Sequence, residues 1–261
     1  MSYARASDGS VLWAPPTPGG RPQPEADPGK VLIWDVPIRV FHVLFAVCCV
    51  AALGLALVGD DSPRLFALHM VFGIAAAFLL IVRLAIAVVA GRHNRLRTMV
   101  FPPRETVAYF TGIFTGSAPR YPVHNPATSL VALVMFTFVP VLLWTGLTPE
   151  REAADELHAL LAYCLLALIA AHLGGLAIHT LRHRENIATA MLTGRKRAAF
   201  ASALPTARRG WGAALLVTSL VWIGLLFASY DTTVETVTLP VIGTTIHLEV
   251  ADATDVDERR D

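Results

Sequence analysis

Apolar residues in this chain fall into five long blocks separated by short polar or basic connections. The blocks, at about 40–59, 66–90, 127–147, 157–181 and 210–229, are each long enough to cross a hydrocarbon core of ~30 Å as an α-helix. Ahead of the first stands "IWDVPIRVFHVLF", residues 33–45. Asp35 suits a helix N-cap and Pro37 the first turn, where its missing N–H costs nothing, so the first helix should start there. Between the second and third blocks, "PPRETVAYFTGIFTG" predicts a short interfacial helix with Tyr109, Phe110 and Phe114 at headgroup level. After the fifth, "TTVETVTLPVIGTTIHLEV" is rich in Thr, Val and Ile around a Pro and a Gly, and predicts two short strands.

This pattern predicts an all-α membrane protein: a four-helix transmembrane bundle, a fifth transmembrane helix and a small extracytoplasmic tail. Residues 1–30 are rich in Pro and Gly and read as a mobile cytoplasmic leader without chemistry. The core then covers 31–197, a cytoplasmic linker and the fifth helix 198–229, and the tail 230–261, ending in the acidic "ADATDVDERRD". No stretch suits a cleaved signal peptide, and no repeat recurs at solenoid periods.

Composition supports the membrane reading. Of 261 residues, 54% are hydrophobic and 16% charged, with a mean hydropathy of +0.55, more apolar than a typical soluble domain. The formal net charge of +1 hides an alternation. Lys and Arg number four in 1–39, five in 91–126 and seven in 182–209, but one, one and two in 60–65, 148–156 and 230–261. By the positive-inside rule, the N-terminus and the two basic connections face the cytoplasm and the C-terminus lies outside, the orientation of a multi-pass protein of the cell's inner membrane. Nothing points to nucleic acid. Cys48, Cys49 and Cys164 lie in apolar spans without a C-x-x-C, which disfavours a disulfide framework, a thiolate zinc site or covalent haem attachment.

Nine histidines occur, and depth sorts them. His93, His124 and His183 fall in basic connections and His247 in the tail, where a solvated or interfacial role suffices. His42, His69, His158 and His172 sit within apolar helices, where an ionisable group is costly and marks function. Helix direction places His42 near the cytoplasmic side and His69 near the outer side. His158 is also at the outer level; His172, fourteen residues on, is about 21 Å deeper on nearly the same helix face. Depth therefore pairs His42 with His172 and His69 with His158. Two opposed imidazoles at each of two depths is what two stacked bis-histidine haems require. A zinc or non-haem iron centre would need its ligands within one shell.

Other residues suit that reading. Gly73 lies one turn past His69 and Gly174 and Gly175 follow His172, all leaving room for a flat ring. Arg83 is fourteen residues past His69, at the depth of the inner pair. A buried arginine costs about 2.5–3.5 kcal/mol on insertion scales unless paired, and a haem propionate is a suitable partner. Arg39 can serve similarly at the membrane surface. His179, seven residues past His172, shares its face and is an alternative inner ligand. It would lie roughly 32 Å below His158, at the edge of the core, so His172 is preferred and His179 becomes a propionate or quinone neighbour.

The runs "WDVPIRVFH", the second-helix "LH" with its following glycine, "HNP", and "ELHALLAYCLLALIAAHLGGLAIHTLRHRENIATAMLTGRK" resemble the prokaryotic di-haem cytochrome b561 family, which includes the b-type cytochrome subunits of membrane nickel–iron hydrogenases. The resemblance covers about residues 31–197. It implies two non-covalent b haems and electron exchange between an outer redox partner, a hydrogenase-like enzyme or a c-type cytochrome, and the membrane quinone. The fifth helix and the tail go beyond the four-helix pattern and are expected to form a docking surface for that partner. The alternative is a stand-alone superoxide oxidase feeding electrons to quinone. The acidic outer connections, with Asp60, Asp61, Glu150, Glu152, Asp155 and Glu156, would repel an anionic substrate and favour a partner protein.

Overall fold

The structure, a computed structural model, describes residues 3–5, 11–13, 29–58, 62–89, 95–117, 119, 121, 123–148, 152–183, 186–197, 203–231 and 236–248. The helices are α1 (Val36–Val58), α2 (Pro63–Val89), α3 (Pro103–Thr115), α4 (Pro126–Gly146), α5 (Glu152–His183), α6 (Ala188–Thr193) and α7 (Arg209–Ala228). Five of them, α1, α2, α4, α5 and α7, are long and apolar enough to cross a membrane. The chain is an all-α multi-pass membrane protein, and these helices correspond to the five apolar blocks. Local chemistry sets their ends. Asp35 Oδ1 accepts from the Ile38 amide at 3.3 Å, with Pro37 in the first turn. Asn125 Oδ1 likewise accepts from the Thr128 amide at 2.9 Å, and Pro126 opens α4.

The closest pairing is α1 with α2. Ile38, Phe41, Phe45, Cys48 and Cys49 of α1 pack with Ala67, Val71, Ile74, Ala75 and Leu79 of α2. The alanines allow close backbone approach, which drives helix association where lipid offers no hydrophobic contrast. From α4, Phe136 packs edge-on against Phe41 and Phe45, each at 6.1 Å. On the other flank α7 packs on α1 and α2; Trp222 stacks on Phe78 at 3.9 Å and Phe227 meets Phe72 at 5.3 Å. The fifth helix is thus an integral part of the bundle. α5 packs chiefly along α4 and turns Leu160, Tyr163, Leu173, Ile178 and Leu181 outward, a surface suited to lipid. Cys48 and Cys49 are buried, Cys164 is half-buried, and all three are free thiols.

One end of the bundle, the basic end, is closed by connections. β3 (Lys30–Leu32) pairs antiparallel with β4 (Arg195–Arg197), Val31 opposite Lys196. The Ile33 and Trp34 amides donate to the Gly194 carbonyl at 2.8 and 3.1 Å. Gly194 has φ +78, and a Cβ there would lie 2.6 Å from the Trp34 carbonyl oxygen, so glycine alone fits. Lys196 Nζ donates to the Tyr121 carbonyl at 3.0 Å, and Tyr121 donates its hydroxyl to Glu105 of the interfacial helix α3 at 2.6 Å. Burial, with the Glu105 carboxylate beside it, pushes the Tyr121 phenol up to about 12.

At the opposite end, β5 (Tyr230–Asp231), β6 (Thr236–Thr238) and β7 (Thr245–His247) form a three-stranded antiparallel sheet. Two of these strands flank the Pro and Gly of the tail as expected; β5 comes directly off α7 and is an addition. In the leader, β1 (Tyr3–Arg5) and β2 (Val11–Trp13) pair as a short hairpin that composition did not predict. The rest of residues 1–28, His93, Asp60, Asp61, Glu150 and the acidic 249–261 lie outside the described residues, as do the side chains of Phe114, His183 and His247.

Candidate functional site

His69 of α2 and His158 of α5 meet near the end opposite the basic one, with ring centroids 6.0 Å apart and ring planes at 73°. Each ring is held through the same nitrogen. His69 Nδ1 donates to the Ala52 carbonyl of α1 at 2.8 Å. His158 Nδ1 lies 3.1 Å from the Leu142 carbonyl and 3.0 Å from Thr145 Oγ1. A carbonyl can only accept, so the proton sits on Nδ1 in both rings and the lone pair is left on Nε2. Thr145, fully buried, donates its own hydroxyl to the Val141 or Leu142 carbonyl at 2.9 or 3.1 Å, which leaves its oxygen free to accept from His158. An engaged Nδ1–H with an available Nε2 is the arrangement that orients imidazole as a metal ligand.

The two rings line a cavity of about 640 Å³, counting its open side, between α1, α2, α4 and α5. Ala52, Gly73, Val139 and Gly146 contribute to its otherwise apolar wall. A Cβ at Gly146 would come within 3.1 Å of His158 Cε1, so this glycine makes room for the ring. Gly73 has nothing within 4 Å of a built Cβ, so the cavity is open on its side. Gly174 and Gly175 also have open space but are exposed on α5.

His42 and His172, both half-buried, lie close enough for a charge on one to act on the other. The separation between the two histidine levels can be read along α1. His69 is anchored on Ala52, ten residues past His42, or about 15 Å of helix. Among the described residues, no three or more His, Cys, Asp or Glu side chains converge as a metal cluster. The histidines come together in twos.

Among the described residues the buried charges, Arg83 and Asp35, lie toward the end that carries His42, whereas the first pair has the exposed Asp155 carboxylate acting on His158. Arg83 is 2% exposed and lies with its guanidinium carbon 6.0 Å from the centroid of the Phe41 ring. It also interacts electrostatically with Asp35, itself 3% exposed, and Asp35 has Arg208 at 4.0 Å on its other side. Sequence reasoning assigned Asp35 only a capping role, so this buried countercharge is new. Two arginines around one carboxylate leave a net positive charge, which still suits an anionic group such as a propionate. Arg39 is partly committed elsewhere: its Nε donates to the Met191 carbonyl at 3.1 Å, tying α1 to α6. His179 is half-buried, two turns past His172 on α5. His124 packs edge-on against Trp34 at 5.0 Å, an interfacial role.

Paired imidazoles in an apolar helical bundle, with Nδ1 of His69 and of His158 tied down, suit a membrane haem protein of the b type, and the residues present fit that group. The sequence pattern of the family described as prokaryotic cytochrome b561 matches residues 33–194, more than half of the chain, and the chain belongs to that family. Comparison with curated proteins finds no match. Family membership and five apolar spans make this a transmembrane protein of b-haem electron transfer.

Proposed function

We propose that the chain carries electrons across the membrane on two non-covalent b haems, an outer one held by His69 and His158 and an inner one by His42 and His172. The observation that carries this reading is the His69–His158 pair, its rings 6.0 Å apart and both Nδ1 atoms engaged. By the positive-inside rule the basic end is cytoplasmic, the C-terminus lies outside, and the pair beside Thr145 faces the outer side of the inner membrane. When bound, each haem would supply a one-electron iron couple, held by His69 and His158 or by His42 and His172, and two imidazoles on one iron would suit outer-sphere transfer rather than oxygen binding.

The chain's own residues do the rest. The Ala52 and Leu142 carbonyls and Thr145 fix the tautomer and tilt of the outer ligands. Arg83 supplies positive charge for a propionate of the inner haem, and Asp35 limits that charge. At the inner level quinone is the proposed exchange partner, with His179 as its neighbour. At the outer level a redox protein, hydrogenase-like or a c-type cytochrome, is the proposed counterpart. Glu152, Asp155 and Glu156 cluster at the start of α5, before His158. They would repel superoxide and suit a protein partner better, so the superoxide oxidase reading ranks second.

The test is a haem count with an absorption spectrum on protein purified from membranes. Two b haems per chain, with Soret and α bands, are expected; a protein without these bands would end the reading.

A further inference from the structure

The sheet β5–β6–β7 carries an apolar turn that electron transfer does not use. α7 has 20 residues, about 30 Å of helix, so it spans the hydrocarbon and ends at a membrane face near Ala228. Tyr230 follows at that level, and Trp144, 57% exposed, stands near the same end of α4, as aromatic side chains do at a membrane boundary.

From Ser229 the chain enters β5, and β6 returns antiparallel to it, with Tyr230 opposite Val237. The Ser229 hydroxyl donates to the Thr238 carbonyl at 2.7 Å, so β6 comes back to the helix end instead of running off into water. The turn begins at the next residue and is closed by Leu239 N–H to the Thr244 carbonyl at 2.8 Å and Gly243 N–H to the Leu239 carbonyl at 2.9 Å. At ~3.3 Å per residue its tip lies within about 10 Å of Thr238. The headgroup zone is roughly 5–8 Å deep on each side of the hydrocarbon, and because β6 runs back toward the end of α7 before the turn, a tip with this reach stays in or beside that zone.

Its side chains match that level. Val237 is fully buried in the core, while at the tip Val241 is 97% and Ile242 72% exposed. Val241 has φ +75, a backbone region where Gly or Asn sits with less strain than a β-branched residue. No charged residue occurs from Thr236 to Ile246.

We infer that the Pro240–Ile242 turn is a lipid anchor, placing Val241 and Ile242 at the headgroup–acyl boundary of the leaflet where α7 ends. The inference rests on the span of α7 and the strand direction and is independent of haem ligation. The test puts a nitroxide on Val241→Cys and, separately, Ile242→Cys, in nanodiscs of phosphatidylethanolamine and phosphatidylglycerol. The signal of the unsubstituted protein is subtracted, and unchanged helical circular dichroism establishes the fold. Collisions with dissolved oxygen should exceed those with a water-soluble nickel chelate several-fold at both positions. Labels open to the chelate in nanodiscs would overturn the anchor. If such labels were shielded only in native membranes, the tip would belong to a protein partner instead.

Discussion

The His69/His158 pair is held by neutral groups, two backbone carbonyls and one hydroxyl in an apolar wall, with the exposed Asp155 carboxylate three residues before His158 near enough to act on it. The His42/His172 pair has buried charge at its level, with Arg83 near Phe41 and Asp35 between Arg83 and Arg208. On the proposed ligation both pairs offer imidazoles and share α5, so the contrast lies in what stands behind the rings. Neutral hydrogen bonds fix ring orientation and basicity, which govern how firmly a metal is held. Buried charges act at a distance and govern how readily the centre accepts an electron. On the proposed reading, one site is built for hold and the other for tuning.

The largest effect that could break this contrast comes from filling space behind His158. Gly146→Val adds bulk where a Cβ already meets the ring at 3.1 Å, and should abolish the outer haem while leaving the inner spectrum intact. Loss of both haems would mean that the sites are not independent. A smaller effect is expected from Thr145→Val, which removes the oxygen 3.0 Å from His158 Nδ1 but leaves the Leu142 carbonyl. Losing a hydrogen bond behind a metal-binding histidine typically costs about 10–100-fold in affinity. Haem transfer to apomyoglobin should quicken from the outer site and stay unchanged at the inner one.

Redox titration sharpens the other half. Arg83→Gln removes positive charge and disfavours reduction, so the inner midpoint should fall by some tens of millivolts; Asp35→Asn should raise it, with the outer midpoint nearly still in both. Equal shifts at both haems would erase the distinction. The smallest effect is expected from His179→Ala, which should keep both haem spectra. If it removes the inner haem while His172→Ala does not, the ligand on α5 is His179.

Much of the fold and the levels of the histidines were legible in the sequence, and the missing part has a physical pattern. Five spans, the capping of α1 by Asp35 and the two histidine levels all follow from periodicity and depth, which are local properties. The carbonyls of Ala52 and Leu142 left no mark, because a backbone oxygen is the same atom at every residue. Thr145 and Gly146 were visible as a polar and a small residue at the end of an apolar span, at the level of His158, and could have been found by asking what its Nδ1 would bond to. Asp35 with Arg83, Arg39 with the Met191 carbonyl, and β3 with β4 join residues far apart in the chain. Such pairings are created by packing and are invisible to any window along the sequence.

The central claim, two bis-histidine haems paired by depth, is tested most directly by low-temperature electron paramagnetic resonance of the oxidised protein and its four single His→Ala variants at positions 42, 69, 158 and 172. Two low-spin ferric signals are predicted, one lost in both His69→Ala and His158→Ala, the other lost in both His42→Ala and His172→Ala. A single signal in the unsubstituted protein, or one signal lost in both His42→Ala and His69→Ala, would contradict the account.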